Sequence, residues 1–302
     1  MHLTPILDRV HDAVTEQLGT GSASAAIPAL AGVDTSHFGM AVATADGELA
    51  RIGDADRPFS IQSVAKLFTT ALVLARDGDA LWTRVGREPS SHRYDALGLL
   101  DDTRGIPRNP FVNAGALVLV DRLLDLYPDG SDAVLDFIRT ESGDPDIAID
   151  ARVAASERAA SHRNAAAAHL IAAHGNLRNP IETVLDHYVA QSAIAASCAD
   201  LARAAMFLAT GTLRDGGRLL TPSATKRLNA VLLTCGTYDA AGDVAYRVGL
   251  PAKSGIGGGM LAIIPGRGVG CAWSPGLDAS GNPIAATAAL DAFTTATGWS
   301  IF

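Results

Sequence analysis

The chain has 302 residues, of which 24 are lysine or arginine and 32 are aspartate or glutamate, giving a formal net charge of −8. This acidic balance leaves no basic stripe for phosphates, so we expect no nucleic-acid partner. A hydrophobic share of 48% beside 19% charged residues predicts a globular chain and excludes an intrinsically disordered one.

The N-terminal stretch and the cysteines bear on the compartment. Residues 1–14 carry charges inside their first apolar stretch, unlike a secretory signal, and no apolar run approaches the roughly 18 residues of a membrane span. Cys198, Cys235 and Cys271 are odd in number and far apart, which favours buried reduced thiols over a disulfide framework or a zinc site. We therefore expect a cytoplasmic protein with no membrane partner and no bound metal.

The first predicted elements are a β-hairpin and a helix. The segment HFGMAVATADGELARIG (37–53) reads as two strands joined at Asp46-Gly47, because both turn positions tolerate positive φ. From Ile61 to Arg76 the apolar residues recur at helical spacing, and Gly78 follows as a C-cap.

The middle of the chain, roughly 71–220, has an almost entirely helical pattern. One predicted helix covers 155–175, and a long one covers 179–211 with Asn179 as its N-cap and Pro180 at the first helical position. After about residue 240 strand patterns return, and a helix closes the chain. The predicted strands are 244–249, 258–266 and 268–274, and the closing helix is 285–299.

Strands at both ends of the chain with helices between them predict an α+β fold. We expect an antiparallel sheet flanked by helices and built from both chain ends, with an inserted all-helical domain. The predicted sheet domain comprises 1–70 and 221–302, and the helical domain comprises 71–220. A cleft between the two is the expected place for an active site.

Ser63 and Lys66 stand three residues apart at the start of the predicted helix 61–76. This spacing places both side chains on one face, with the serine in the first turn, where free backbone amides favour developing negative charge. A lysine activates a serine only as the neutral amine, so burial or a second nearby cation must lower its pKa. Lys253 is our candidate for that cation.

An S-x-x-K spacing alone is common and is also compatible with a helix-start serine beside a solvated lysine. Here Lys253, Ser254 and Gly255 follow the helical insert on a predicted strand. That K-S-G signal is the usual companion of the S-x-x-K serine in penicillin-binding proteins and class A β-lactamases. Serine acyl transfer becomes the leading class of reaction.

The sequence at this point resembles the serine-dependent glutaminases of the β-lactamase-like superfamily over nearly its whole length. The specific stretches are GDADRPFSIQSVAK (53–66), RNPFVNAGAL (108–117), the segment 155–167, LTCGTYDAAGDVAYRVGLPAKSGIGGGM (233–260) and WSPGLDASGN (273–282). The resemblance implies hydrolysis of L-glutamine to L-glutamate and ammonia through a γ-glutamyl-serine acyl-enzyme, without a cofactor. It also implies a β-lactamase/DD-peptidase-like fold and a homodimer or homotetramer.

The resemblance also implies roles for individual residues. Ser63 matches the nucleophile, Lys66 its base, and Tyr238 a proton relay, with the backbone amides of Ser63 and Ile256 as the oxyanion hole. The matched substrate-binding positions are Ser63, Asn113, Glu157, Asn164, Tyr188, Tyr238 and Ile256. Glu157 is assigned to the α-ammonium of glutamine, and Lys253, Ser254 and Gly255 have supporting roles.

Two positions depart from the family pattern. Ala26 stands where the family usually has a tyrosine at the active-site entrance, and Tyr94, Asp95 and Ala96 stand where it usually has Phe-Asn-Ser. These departures leave open whether Asp95 disfavours an acidic product or changes loop packing. The alternatives are another S-x-x-K serine hydrolase, acting on an ester, an amide or a penicillin, and a catalytically silent glutamine-binding homologue.

Lysine is scarce in this chain, which has only Lys66, Lys226 and Lys253 beside its arginines. Two of the three occupy the motif positions, and an arginine cannot give up its proton to act as a base. Lys226 lies on a predicted surface helix and has no role in the predicted site.

Overall fold

The computed structural model describes residues 2–91, 93–98, 100–128 and 132–302. Its strands in chain order are β1 (Gly39–Thr44), β2 (Leu49–Gly53), β3 (Phe59–Ser60), β4 (Ala148–Ile149), β5 (Ile194–Ala196), β6 (Ala252–Ser254), β7 (Gly259–Ile264) and β8 (Gly268–Trp273). Five of them form an antiparallel sheet in the order β2-β1-β8-β7-β6. Both ends of the chain therefore contribute to one sheet, as the sequence predicts.

The helices surround this sheet and fill the middle of the chain. They are α1 (Thr4–Val14), α2 (Ala65–Asp77), α3 (Asn113–Leu126), α4 (Ala133–Ser142), α5 (Ala151–Ala159), α6 (His162–Ala173), α7 (Ile181–Ser192), α8 (Cys198–Ala204), α9 (Met206–Thr210), α10 (Pro222–Cys235), α11 (Ala241–Arg247) and α12 (Ile284–Thr297). The mixed architecture of helices with antiparallel sheets is the one predicted.

Strands β1, β7 and β8 are buried on both faces because they carry apolar residues at odd and even positions alike, whereas the edge strand β2 is partly exposed. Ala41 and Ile263 belong to the core cluster shared with α2, α4 and α8. Met40 and Ala262 belong to the cluster shared with α1 and α12. The strand period of two residues separates these side chains onto opposite faces. The sheet is therefore a rigid platform for the residues at its edges.

Several predicted elements are confirmed at their positions. The Asp46–Gly47 turn joins β1 to β2, with Gly47 at φ 93. A short 3₁₀ turn, Gln62–Val64, leads into α2, and Gly78 caps that helix at φ 54. The cysteines Cys198, Cys235 and Cys271 are free and buried, as expected.

The prediction of an all-helical middle is wrong in one respect. Strands β4 and β5 lie within it, and β5 pairs with β3 on one side and with β4 on the other in a three-stranded sheet of order β3-β5-β4. Residues 194–196 pair on both sides, which breaks the single helix predicted for 179–211 into α7, α8 and α9. Ser197 then caps α8 by accepting a hydrogen bond from the Asp200 amide.

Three further local predictions are wrong. Asn179 does not cap α7, because its side-chain amide donates to the Asp121 carbonyl at 2.9 Å and Pro180 is the N-cap. The segment 244–249, predicted as a strand, lies mainly in α11, since Val244 and Val248 are four residues apart and both buried. The helix predicted over 155–175 is interrupted at residues 160–161 between α5 and α6.

The helices that the structure describes can be compared with the requirements for a membrane-spanning helix. None of them combines the length and the apolar character that crossing a bilayer requires.

Candidate active site

Ser63 lies at the floor of a cavity of about 280 Å³. It belongs to the 3₁₀ turn that precedes α2 and is 8% exposed. The preceding residue, Gln62, has φ 48, a left-handed conformation that a non-glycine residue adopts only when its surroundings enforce it. The cavity is lined by Ala26, Ile27, Gln62, Ser63, Tyr94, Asp95, Asn113, Glu157, Ala160, Ser161, Arg163, Asn164, Tyr188 and Ile256.

Lys66 lies one turn after Ser63 and is almost completely buried, at 4% exposed. Its Nζ donates to Asn113 Oδ1 at 2.6 Å and to the Phe111 carbonyl at 3.4 Å. Burial lowers the pKa of this amine to about 7, although the negative charges of Glu157 and Asp95 act in the opposite direction. The amine is thus able to exchange a proton near neutral pH, and burial rather than a second cation accounts for the lowered pKa.

Lys253 makes contacts of a different kind. Its Nζ, on β6, donates to the Gly236 carbonyl at 2.8 Å and to the Ser254 carbonyl at 2.6 Å. It lies 4.3 Å from the centre of the Tyr238 ring. Burial, with a smaller effect from the charge of Lys66, lowers the pKa of Lys253 well below its usual range. These bonds fix β6 to the segment that carries Tyr238.

Tyr238 is held between these groups in an unusual backbone conformation. Its φ is 63, and its hydroxyl donates to the Ser254 carbonyl at 3.2 Å. Burial raises the pKa of the phenol, while the nearby Ser63 side chain acts to lower it. Tyr238 therefore keeps its proton at neutral pH and adjoins the serine oxygen.

Glu157 supplies a buried carboxyl group at the end of α5, 7% exposed. Its Oε2 accepts a hydrogen bond from Gln62 Nε2 at 3.2 Å. Burial raises its pKa to about 7, while the bond from Gln62 and the charge of Lys66 act to lower it. A cation entering the cavity would favour the ionised carboxylate.

The other predicted polar side chains in the cavity lining are those of Asn113, Asn164 and Tyr188. Asn113, the first residue of α3, donates through Nδ2 to Asn164 Oδ1 at 2.9 Å. Asn164 lies in the first turn of α6, and its side chain acts to lower the pKa of Tyr188, which burial raises well above its usual range. The helix is interrupted between α5 and α6. Glu157 and Asn164 therefore line the same cavity from two helices, not from one face of a single helix.

The loop after β6 passes very close to the turn that holds Ser63. A Cβ on Gly255 would lie 2.7 Å from the Ile61 carbonyl oxygen and 3.1 Å from the Ser63 amide nitrogen. A Cβ on Gly257 would lie 2.0 Å from the Ser60 carbonyl oxygen. Only glycine fits at these contacts. Among the described residues, none accepts a hydrogen bond from the amides of Ser63 or Ile256.

The two departures from the family pattern lie at the rim of the cavity. Asp95 pairs with Arg163, whose Nε lies 2.9 Å from Asp95 Oδ2, and with Arg93 at 3.3 Å. The Tyr94 ring packs on the Tyr238 ring with centres 4.8 Å apart. Ala26 is exposed at the same rim. Asp95 therefore takes part in loop packing beside the cavity.

The predicted site residues that line the cavity are Ser63, Asn113, Glu157, Asn164, Tyr188 and Ile256. Lys66 contacts this group through Asn113, and Tyr238, Lys253, Ser254 and Gly255 do not line the cavity. The sequence reasoning missed Gln62, which is 2% exposed and holds Glu157. It also gave no role to Arg163. The only feature of the sequence that could have indicated a role for Gln62 was its position next to Ser63. For Arg163 it was the position next to Asn164.

Comparisons with known proteins identify the family of this chain. The profile of the family described as Glutaminase matches residues 21–302. A glutaminase of Streptomyces coelicolor is 54% identical over 299 residues, which cover 99% of this chain and 97% of that protein. A glutaminase of Paraburkholderia phytofirmans is 49% identical over 304 residues, with 100% of both chains covered.

Solved structures give the same result. One described as probable glutaminase ybaS superposes with a TM-score of 0.93 at 29% identity, covering 99% of this chain and 98% of that one. A structure of Mglu in its glutamate form gives a TM-score of 0.91 at 34% identity, covering 100% of this chain and 70% of that one. The family match spans most of the chain, and the two relatives from Streptomyces coelicolor and Paraburkholderia phytofirmans match it over nearly their full length. The chain belongs to the glutaminase family.

Proposed function

We propose that this enzyme hydrolyses L-glutamine to L-glutamate and ammonia through a γ-glutamyl ester of Ser63. The observation that carries the proposal is a buried amine, Lys66, whose pKa is lowered to about 7, one helical turn from a serine that lines the cavity. A neutral amine in that place is a base for the serine hydroxyl. The glutaminase relatives supply the substrate class.

The cavity offers complementary groups for the two charged ends of glutamine. Glu157 is a buried carboxylate in the cavity lining and would bind the α-ammonium, whose charge keeps Glu157 ionised. Asn113, Asn164 and Tyr188 supply neutral hydrogen-bonding groups for the α-carboxylate end. Gln62 holds the Glu157 carboxylate in place.

The first half-reaction transfers the γ-acyl group to the serine. Lys66 accepts the Ser63 proton while Ser63 Oγ forms a bond to the amide carbon, and the carbonyl oxygen becomes an oxyanion. The free amides of Ser63 and Ile256 would stabilise that oxyanion. Collapse of the adduct breaks the C–N bond, and Tyr238 passes a proton to the leaving nitrogen and recovers one from Lys66.

The second half-reaction reverses these roles with water. A water molecule gives a proton to Lys66, attacks the ester carbon, and glutamate leaves as Ser63 recovers its proton. Lys253 acts as a positioning residue, since its bonds to the Gly236 and Ser254 carbonyls hold β6 beside Tyr238.

Three broader features belong to the same proposal. We assign the fold to the β-lactamase/DD-peptidase-like class, with a sheet domain of 1–70 and 221–302, a helical domain of 71–220 and the site in the cleft between them. The order of the five-stranded sheet, with both chain ends in it, supports this. A cytoplasmic location and a homodimeric or homotetrameric state remain predictions. Sedimentation velocity measures the oligomeric state.

The acyl-enzyme can be tested directly. Enzyme mixed with excess glutamine is quenched in acid within its first turnovers, digested, and analysed by mass spectrometry. A γ-glutamyl adduct on the peptide containing Ser63 is expected. Ammonia release with no adduct at any quench time, and no hydroxamate when hydroxylamine is added, would contradict the ester intermediate.

The pH profile of kcat/KM for glutamine is expected to rise through about 7 and level off above it. Below this pH Lys66 is protonated and cannot accept a proton, whereas above it the amine is neutral. Glu157, whose pKa is raised to about 7, also reaches its ionised state on the alkaline side. The two titrations therefore act in the same direction.

Asp95→Asn is expected to move that rising limb to lower pH, because the Asp95 carboxylate raises the pKa of Lys66. The matched control is Asp102→Asn, an exposed carboxylate outside the cavity lining, whose profile should equal that of the wild type. Steady-state kinetics across the pH range measures the limb. A limb that stays in place or moves to higher pH would show that Asp95 does not act on the base.

Gly255→Ala is expected to reduce kcat by about 10²- to 10³-fold, the usual effect of losing one oxyanion donor. The added methyl group would press on the Ile61 carbonyl and the Ser63 amide and move the Ile256 amide away from the serine. Gly32→Ala is the control, since a Cβ there meets nothing within 4 Å. Unchanged kcat in a folded Gly255→Ala enzyme would remove the proposed oxyanion hole.

A further inference from the structure

A second cavity, of about 550 Å³, lies away from Ser63 and shares no lining residue with the active-site cavity. One wall is the face of α10 formed by Lys226, Asn229, Ala230 and Leu233, whose spacing of three and four residues places them on one side of the helix. The end of α9, Pro251, Pro265 and Ile301 complete the walls.

The charge of this second cavity is one-sided. Arg218 and Lys226 line it, both are exposed, and neither forms an ion pair with any residue that the structure describes. Its lining contains no aspartate or glutamate. Most of the other residues that line the cavity are apolar, among them Leu208 and Leu233. Such a cavity is complementary to an anion with an apolar body.

The wall also contains polar atoms without partners. Asn229 is 8% exposed, and its Nδ2 donates to the Leu208 carbonyl at 3.0 Å. Its Oδ1 and the Thr225 Oγ1 are buried and have no hydrogen-bond partner among the described residues. Unpaired buried oxygens destabilise a protein, so a ligand that offers an N–H or O–H group here gains a bond that the empty site lacks.

The walls of this cavity lead directly into the active site. α10 ends at Cys235, and the next residue, Gly236, accepts the hydrogen bond from Lys253 Nζ. Pro251 stands two residues before Lys253 on the chain. A Cβ on Gly236 would lie 1.9 Å from the Ala252 carbonyl oxygen, so the helix end and β6 are in contact with no free space. A shift of α10 must therefore reach Lys253 and Tyr238.

We propose that this cavity is an effector site for an aromatic or aliphatic carboxylate that carries a hydrogen-bond donor. The carboxylate pairs with Lys226 and Arg218, the apolar body lies between α10 and Pro251, and the donor reaches Asn229 or Thr225. Occupancy alters glutamine turnover through the end of α10. The effect on turnover rests on the roles proposed above for Lys253 and Tyr238, whereas binding does not.

The probe for binding is indole-3-propionate, which has a carboxylate, an apolar ring and one N–H donor. Titration calorimetry of the full chain is expected to give saturable binding at one site per chain, about tenfold weaker for the neutral indole-3-propionamide. Arg218→Ala/Lys226→Ala should weaken the acid by about tenfold and leave the amide unchanged. Arg9→Ala, which removes an exposed cation of α1, is the control.

Two further variants separate this site from the active site. Ala230→Phe, on the exposed side of α10, fills the cavity and should abolish binding of the acid and the amide. Ser63→Ala should bind the acid as well as the wild type does, and L-glutamate should not displace it. Loss of binding in Ser63→Ala, or displacement by glutamate, would place the probe in the active site and overturn the proposal.

Turnover tests the coupling. Saturating indole-3-propionate is expected to change kcat/KM for glutamine by about fivefold or more in the wild type and not in Ala230→Phe. Binding without a change in turnover would overturn the effector role. No binding at any protein concentration, as when a second copy of the chain covers this face, would overturn the site itself.

Discussion

Ser63→Ala is expected to lower glutamine turnover by about 10⁴- to 10⁶-fold, because no other group can form the γ-glutamyl ester. The lost oxygen is the nucleophile of the proposed mechanism, on a residue that lines the active-site cavity. Ammonia release, followed by a coupled assay with enzyme in excess, measures the residual rate. The acid-quench adduct should disappear in parallel.

The control for this substitution separates chemistry from folding. Ser63→Ala should keep the melting temperature of the wild type and still be stabilised by glutamine, since Glu157, Asn113 and Asn164 are intact. Ser223→Ala, an exposed serine on α10, should have wild-type turnover. A Ser63→Ala enzyme that turns over glutamine within tenfold of the wild type would eliminate the serine mechanism.

Lys66→Arg is expected to be nearly as damaging as Lys66→Ala, with both reducing kcat by about 10²- to 10⁴-fold. Burial lowers the pKa of the lysine to about 7, but no comparable environment makes a guanidinium neutral. The arginine variant therefore keeps a positive charge and loses the base. Steady-state kinetics at pH values above and below 7 measures both variants.

Lys66→Met serves as the folding control, because it fills the same volume without a buried charge. It should have a melting temperature at or above that of the wild type and a turnover as low as Lys66→Ala. Lys226→Arg keeps the charge of an exposed lysine and should have wild-type turnover. Wild-type activity in Lys66→Arg would remove the lysine base from the mechanism.

The correct local predictions share a physical cause. Hairpin β1–β2 and the cap at Gly78 depend on backbone conformations that few residue types adopt, so Gly47 and Gly78 identify them in the sequence. The motif residues Ser63 and Lys66 are likewise close in sequence, and helical geometry alone places them together.

The wrong predictions also share a cause. Residues 194–196 are compatible with a helix, yet they pair with β3 and β4, which lie far away in the chain. Hydrogen bonds to two distant strands outweigh a helix preference of a few tenths of a kcal/mol per residue. In α11 the reverse occurs, since burial of Val244 and Val248 on one face outweighs a strand-like composition.

The sequence by itself determined the family and the presence of strands at both ends around a mainly helical middle, and it predicted the nucleophile and base. These depend on local patterns and on residue types that have few substitutes in the chemistry. The tertiary structure alone decided how Glu157 and Asn164 come to one cavity from separate helices, and that Gln62 holds Glu157. It also decided that burial lowers the pKa of Lys66, because burial and electrostatic environment arise from residues distant in sequence and exist only after the chain has folded.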